Sequence, residues 1–173
     1  MKEKIMPPLV LTLISVIVCA LLVAANTATK DKIAQAQEDK FNRSLSETFG
    51  ESDYSPVELE FDGIDSVTRD ENGRIFFEIT ADGYSKDGLH LLIGFDAQGK
   101  LEGISFLSIG ETPGLGTKVQ EDQNFLEQFT GITSADYDFS TITGATYSSK
   151  GMKSAVDLAV NTYNEHREEI LNG

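Results

Sequence analysis

Residues 89–108 have the sequence LHLLIGFDAQGKLEGISFLS. Two runs rich in branched and aromatic residues, Leu89–Phe95 and Leu101–Ser108, flank the short polar segment Asp96–Gly99. A short Asp- and Gly-containing segment between two such runs is typical of a β-hairpin, because both residue types tolerate the backbone angles of tight turns. This stretch therefore predicts two antiparallel strands joined by a turn.

The residues before this hairpin continue the same pattern. Val57–Phe61 alternates apolar and polar side chains as VELEF, and two further apolar runs follow at Ile64–Thr68 and Arg74–Thr80. Asn72-Gly73, just before the last of these runs, is the strongest short hairpin signal that a sequence offers. Residues 57–108 are therefore predicted to form an antiparallel meander.

The residues after the strands predict helices. Glu121–Phe129 has the character of a short helix. In a longer segment the apolar side chains recur at helical spacing on one continuous face: Met152, Ala155, Val156, Ala159, Val160 and Tyr163. We predict a helix from about Ser149 to Ile170 that packs on the sheet. The fold class is then α+β, with one antiparallel sheet packed by helices.

The N-terminal part differs from the rest. Pro7–Ala25 contains no charged residue, and Leu9–Ala25 has only two polar side chains, which is enough apolar length to span a bilayer. Lys2 and Lys4 precede this run, so the positive-inside rule predicts a cytoplasmic N-terminus and an extracytoplasmic remainder. A cleaved signal peptide is the alternative, but the length of the apolar run favours an uncleaved, single-pass anchor in the cell (inner) membrane.

Three parts are predicted: residues 1–28 as cytoplasmic N-terminus and anchor, 29–50 as a membrane-proximal helix or stalk, and 51–173 as one extracytoplasmic domain. The chain has 28 acidic and 14 basic residues, a net charge of −14, which argues against a nucleic-acid partner. One Cys and two His make a metal centre improbable. Any redox role therefore favours an organic cofactor.

Two segments are unusual for plain connectors. Glu111–Lys118, ETPGLGTK, contains Pro113, Gly114 and Gly116, which permit a tight loop whose backbone could approach a phosphate or a planar ligand. A shaped strand-to-helix turn explains it equally well. Thr141–Ser149, TITGATYSS, crowds five hydroxyl side chains and a Tyr around one Gly before a helix, where free N–H groups suit a phosphate. Helix capping explains only one of these hydroxyls.

The two segments resemble the marks of the covalent-FMN-binding domain family of bacterial flavoproteins. In that family the last Thr of a Ser/Thr-Gly-Ala-Thr core carries FMN through a phosphoester bond, which implies Thr146 as the acceptor here. The family's usual Asp three residues before the core is Ser140 in this chain. No catalytic residue or metal ligand is implied. The further residues implied in FMN binding are Thr143, Gly144, Ala145, Tyr147 and Ser148 in one segment, and Glu111, Thr112, Pro113, Gly114, Leu115, Gly116 and Lys118 in the other.

Within the family the chain is most similar to the G subunits of Rnf-type ion-translocating complexes, with the C subunits of the sodium-pumping NADH:quinone reductase as a related branch. The resemblance implies an electron-transfer subunit of a membrane-bound ferredoxin:NAD oxidoreductase complex coupled to sodium or proton transport. Such a protein is part of a translocase and not an autonomous enzyme. Its expected partners are the membrane, the other membrane and redox subunits, and a flavin transferase. The alternatives are a free-standing extracytoplasmic flavoprotein reductase or electron shuttle, and a non-redox sensor or binding module.

Overall fold

The structure is a computed structural model that describes the backbone of residues 2–172 and the side chains of residues 6–172. The chain forms two compact units, Met1–Phe41 and Asn42–Gly173. The long helix α1, Lys2–Phe49, extends across this division: its residues up to Phe41 form the first unit, and its last turns belong to the second unit. The predicted division at residues 28 and 50 stays a prediction. The side chains of Lys2 and Lys4, which predict the orientation, lie outside the described residues.

Helix α1 has the length and composition of a membrane span. Between Met6 and Phe49 it contains an 18-residue apolar window whose side chains are not buried in the protein. Its two polar residues within the apolar run bond to the helix itself, because Thr12 and Ser15 donate to carbonyl oxygens four residues earlier, both at 2.9 Å. Internal satisfaction of this kind is what a helix in lipid requires.

The second unit contains the predicted antiparallel meander. Its five strands lie side by side in chain order, each antiparallel to the next. Their bounds are β1 Tyr54–Val57, β2 Ser66–Asp70, β3 Ile75–Ala81, β4 Leu89–Phe95 and β5 Leu101–Ile109. Three helices follow the sheet, so the predicted α+β class is confirmed.

The first strands differ from the prediction. We expected a strand over Val57–Phe61, but β1 ends at Val57 and the next residues form a connection. The alternation of VELEF has another cause: Leu59 and Phe61 are partly buried side chains that pack against the core without joining the sheet. Strand β2 begins two residues later than predicted, at Ser66. Periodicity reports which side chains are buried and does not report backbone pairing.

The helices also differ in their bounds. The predicted helix Glu121–Phe129 is two short helices, α2 Lys118–Glu121 and α3 Gln123–Glu127. They are separated at Asp122, whose backbone is extended and whose carboxylate accepts a hydrogen bond from the N–H of Phe125 at 3.2 Å. The long helix α4 spans Thr146–Asn172 and begins three residues earlier than predicted. Thr146 is therefore its first residue.

The core lies between α4 and one face of the sheet. The helix contributes the predicted apolar stripe, and β3 and β4 contribute alternate residues of each strand. The opposite face of the sheet is covered by the end of α1, where the ring of Phe49 lies 4.9 Å from that of Phe76. A Cβ on Gly94 would lie 2.4 Å from the Phe49 ring, so this glycine makes room for the helix.

Helix α4 also lies close to the connection between β3 and β4, residues 82–88. A Cβ added to Gly151 would lie only 2.1 Å from the carbonyl oxygen of Asp82 and 3.1 Å from the Cα of Gly83. Both contacts are to backbone, which cannot rotate away as a side chain can. Gly151 therefore sets the distance between α4 and this connection.

We predict that Gly151→Ala destabilises the protein. Alanine is favoured over glycine in a helix by about 1 kcal/mol, but forcing a methyl group into a packed contact typically costs about 1–3 kcal/mol. The expected net effect is a lower free energy of unfolding, measured by urea denaturation of the full chain in detergent. Ser154→Ala, at an exposed position of the same helix, is the control and should leave stability unchanged or slightly raised. A Gly151→Ala protein as stable as this control would contradict the close approach.

Candidate functional site

A buried carboxylate lies at the centre of the site. Glu111, two residues after β5, is only 5% exposed. Its oxygens accept hydrogen bonds from the backbone N–H of Tyr84 at 3.2 Å, the N–H of Ser85 at 3.0 Å and the hydroxyl of Ser148 at 2.5 Å. One side chain thus joins the β3–β4 connection, the loop after β5 and the first turn of α4.

Three glycines enclose this carboxylate. A Cβ on Gly83, Gly88 or Gly116 would lie 2.4–2.5 Å from an oxygen of Glu111. Because these glycines have no side chain, the backbone can approach the Glu111 carboxylate closely, and protein N–H and O–H groups donate to it in place of water. A buried carboxylate is costly unless it is hydrogen-bonded. Ser148, which donates to it, is the third residue of α4, so the carboxylate also lies near the positive end of the helix dipole, which favours a negative charge.

The loop after β5 is a tight turn. The N–H of Leu115 donates to the carbonyl of Thr112 at 3.1 Å, with Pro113 and Gly114 at the two central positions. Gly114 has a φ of +74°, which this turn position requires and which a glycine adopts without strain. The turn leaves the side chains of Thr112 and Leu115 exposed.

The segment before α4 forms a second turn of the same kind. The N–H of Ala145 donates to the carbonyl of Ile142 at 2.9 Å, and Gly144 has a φ of +85°. The carbonyl of Ala145 then accepts a hydrogen bond from the N–H of Ser149 at 2.8 Å, so Ala145 is at the cap position of α4. Ala145 is buried, and Thr146, the first residue of the helix, is exposed. The two turns face each other, because a Cβ on Gly144 would lie 3.9 Å from Leu115.

Side chains fix the approach to this second turn. Gln128 brackets Ser140: its amide oxygen accepts from the N–H of Ser140 at 2.7 Å, and its amide nitrogen donates to the carbonyl of Ser140 at 3.3 Å. The buried hydroxyl of Ser149 accepts from the N–H of Ile142 at 3.1 Å. Ser148 and Ser149 are thus engaged inside the fold and do not extend toward solvent.

The cationic side chain of Lys153 packs against the segment that leads to α4. The ammonium group of Lys153 lies 2.6 Å from a carboxylate oxygen of Asp157 and 4.6 Å from the ring centre of Tyr137. Burial raises the pKa of the Tyr137 hydroxyl, and the negative charge of Asp157 raises it further. Tyr137 is therefore neutral at physiological pH, and it serves as a packing surface for the segment leading to α4.

These segments enclose an open cavity of about 290 Å³. It combines an exposed hydroxyl, Thr146, with three exposed apolar side chains, Tyr84, Leu115 and Tyr147. Its full lining is Tyr84, Glu111, Thr112, Leu115, Gly116, Gly144, Ala145, Thr146, Tyr147 and Ser148.

The two predicted segments therefore meet at one cavity, and most of the predicted residues line it. Thr143, Pro113, Gly114 and Lys118 do not. The first three shape the two turns, and Lys118 begins α2 as a half-buried residue. For all of the predicted site residues, those that line the cavity included, a part in FMN binding stays a prediction.

Tyr84 was not predicted from the sequence. It lies in DGYSKDG, a polar, glycine-rich connection between two strands. A large aromatic residue in such a connection has no strand face to occupy, and this was the available signal. Its approach to the two motifs depends on the hydrogen bonds that Tyr84 and Ser85 donate to Glu111, 27 and 26 positions further along the chain, and no local pattern reveals these contacts.

Comparison with known proteins defines the class of the domain. Residues 83–161 match the family model of the FMN-binding domain. This range begins next to Tyr84 and includes both turns of the cavity. This part of the chain is thus similar to the FMN-binding domain, in agreement with the resemblance.

Its full-length relatives are more specific. The chain is 26% identical to the G subunit of the ion-translocating oxidoreductase complex of Shewanella piezotolerans, over 98% of this chain and 94% of the relative. It is 27% identical to the G subunit of Aliivibrio fischeri strain MJ11, over 94% and 91%. For the G subunit of Vibrio parahaemolyticus the identity is 36%, over 54% and 50%. The chain is thus similar to the first two G subunits over nearly its full length and to the third over about half of it.

We predict that Glu111→Gln lowers the free energy of unfolding by about 1–3 kcal/mol, the cost of leaving a buried polar group unsatisfied. The amide has the shape of the carboxylate but only one acceptor oxygen, and its NH₂ group would face donors. Urea denaturation of the full chain in detergent measures the loss. Glu121→Gln, at an exposed position, is the matched control and should show no change. Equal stability of the two variants would show that the carboxylate does not hold the segments together.

Proposed function

We propose that this protein is an electron-transfer subunit that carries FMN as a phosphoester of Thr146 in a membrane-bound, ion-translocating oxidoreductase complex. The support comes from the FMN-binding domain, from the relatives named as G subunits of such a complex, and from the chemistry of the cavity. Bound FMN would supply one- and two-electron chemistry. The chain's own residues would supply attachment, orientation and shielding.

The observation that carries the attachment site is the state of the Ser and Thr hydroxyl groups in residues 141–149. Ser148 donates to Glu111, and Ser149 accepts from Ile142. Thr141 and Thr143 are exposed but do not line the cavity. Thr146 has the one aliphatic hydroxyl of this segment that belongs to an exposed residue of the cavity lining. The geometry therefore favours Thr146 over its neighbours as the acceptor.

The start of α4 also suits the phosphate of an attached FMN. The first turn of a helix has N–H groups without intrahelical acceptors, and the helix dipole favours negative charge there by about 0.3–1 kcal/mol at an exposed site. Thr146 is the first residue of this 27-residue helix. The cavity is at the small end of the range for ligand sites, so a bound flavin would stay partly open to solvent. An open flavin suits electron exchange with a partner.

The remaining assignments complete the proposal. The apolar run of α1 anchors the protein in the cell membrane, with the basic N-terminus in the cytoplasm and the FMN domain on the extracytoplasmic side. A flavin transferase attaches the cofactor, and other membrane and redox subunits supply nucleotide binding and ion conduction. Covalent attachment suits such a location, because a dissociated cofactor could not be replaced from the cytoplasmic pool.

The test is the intact mass of the full chain produced together with a flavin transferase. The wild-type protein should gain the mass of one FMN less one water, and Thr146→Val should gain nothing, because valine matches threonine in shape but lacks the hydroxyl. Thr143→Val is the matched control on the same segment and should keep the adduct. An adduct retained by Thr146→Val, or a wild-type protein without flavin, would refute the proposal.

A further inference from the structure

Tyr84 has an unusual environment for an aromatic residue. Tyr84 is 73% exposed. The β3–β4 connection that contains it is nevertheless fixed by hydrogen bonds to Glu111 and by its contact with α4 at Gly151. The Tyr84 ring is 6.2 Å from that of Tyr147, at an interplanar angle of 70°. Tyr147 is itself 70% exposed and follows Thr146 in α4. Two exposed tyrosines from distant parts of the chain thus meet at the rim of the cavity.

Exposed apolar surface is concentrated at this point. Among the described residues of the second unit, the exposed large apolar side chains are Tyr84, Leu115 and Tyr147, and all three line the cavity. The other apolar side chains of the core pack against α4 or the sheet. An exposed apolar patch around a cavity is typical of a ligand-binding site, because a ligand that covers it removes apolar surface from water, which is favourable in free energy.

The fold fixes the backbone that carries Tyr84. Glu111 accepts hydrogen bonds from its N–H and from that of Ser85. Within the connection, the N–H of Asp87 donates to the carboxylate of Asp82 at 2.8 Å. Gly151 of α4 lies directly against Asp82. The aromatic ring therefore projects from a fixed backbone, which lowers the entropy lost when it binds a ligand.

We propose that Tyr84 is a flavin-ring-binding residue, and that its side chain forms an aromatic wall for the isoalloxazine ring of FMN. This inference rests on the proposed function, since it takes the flavin to be attached at Thr146. Glu111 is then a positioning residue, because it acts on the flavin site through the backbone of Tyr84 and through Ser148. Leu115 and Tyr147 provide the other apolar surfaces of the cavity.

The occupant follows from the chemistry of the lining. A planar, aromatic heterocycle gains most from tyrosine rings, through offset or edge contacts that add to the gain from the buried area. The lining of the same cavity also includes the Thr146 hydroxyl at the start of α4, which suits a phosphate. An aromatic wall and a phosphate end together match a flavin mononucleotide. The matched FMN-binding domain includes residue 84.

The test uses the full, flavinylated chain in detergent. Intact mass and flavin absorbance first establish loading for wild type, Tyr84→Ala, Tyr84→Phe and the control Lys86→Gln, which alters an exposed residue of the same connection outside the cavity lining. Iodide quenching of flavin fluorescence then measures how well the ring is shielded. A fixed, high ionic strength screens the acidic surface, which would otherwise repel iodide.

We expect Tyr84→Ala to roughly double the iodide quenching constant per bound flavin, because one of the two faces of an aromatic ring loses its cover. Tyr84→Phe should keep the wild-type constant, since the ring and not the hydroxyl provides the cover, and Lys86→Gln should also match wild type. A folded Tyr84→Ala protein that loads less flavin than Tyr84→Phe would support the same conclusion.

A loaded Tyr84→Ala protein with wild-type quenching would overturn the inference, and so would a Tyr84→Phe protein that behaves like Tyr84→Ala. Unchanged quenching together with lost co-purification of other subunits would assign Tyr84 to a protein interface instead. Absence of flavin from the wild-type protein would refute the proposed function, and the inference with it. Failure of the inference alone is therefore distinguishable, because the flavin would be present and its shielding unaffected by Tyr84.

Discussion

The Glu111 carboxylate accepts hydrogen bonds from three residues that are 26, 27 and 37 positions away in sequence, in two other segments of the chain. A charge removed from water must recover its lost hydration from protein donors, and here two backbone N–H groups and one hydroxyl provide them. Three glycines allow those donors to reach it. The cavity forms where the β3–β4 connection, the loop after β5 and the start of α4 meet, because this carboxylate holds the three segments together.

The residues of the two motifs divide into two kinds once this arrangement is seen. Some form the backbone: Pro113 and Gly114 build one turn, Gly144 builds the other, and Gly116 leaves space beside Glu111. Others present chemistry to the cavity, above all the Thr146 hydroxyl and the exposed side chain of Leu115. In each motif, some residues therefore shape the backbone, and others have side chains that line the cavity. The Glu111 carboxylate of the first motif also holds the backbone of Tyr84, which belongs to neither motif.

The sequence predicts well what local interactions determine. Hairpin signals such as Asn72-Gly73 act within a few residues, and the apolar stripe of α4 needs only its own helix, so the meander and the packing helix were confirmed. The first strand was wrong because burial of Leu59 and Phe61 imitates strand alternation. The convergence at Glu111 was also beyond prediction, because it depends on long-range contacts and on the donors that a buried charge selects.

We propose that the membrane-length helix and the domain similar to FMN-binding domains form an anchored redox module, with its cofactor site assembled around the buried Glu111 carboxylate. A high-resolution structure of the flavinylated, full-length protein tests this account most directly. We predict continuous density from the Thr146 hydroxyl oxygen to the FMN phosphate at the start of α4, with the Glu111 carboxylate still accepting from the N–H of Tyr84. A flavin attached at another residue, or bound outside the cavity that these three segments form, would contradict it.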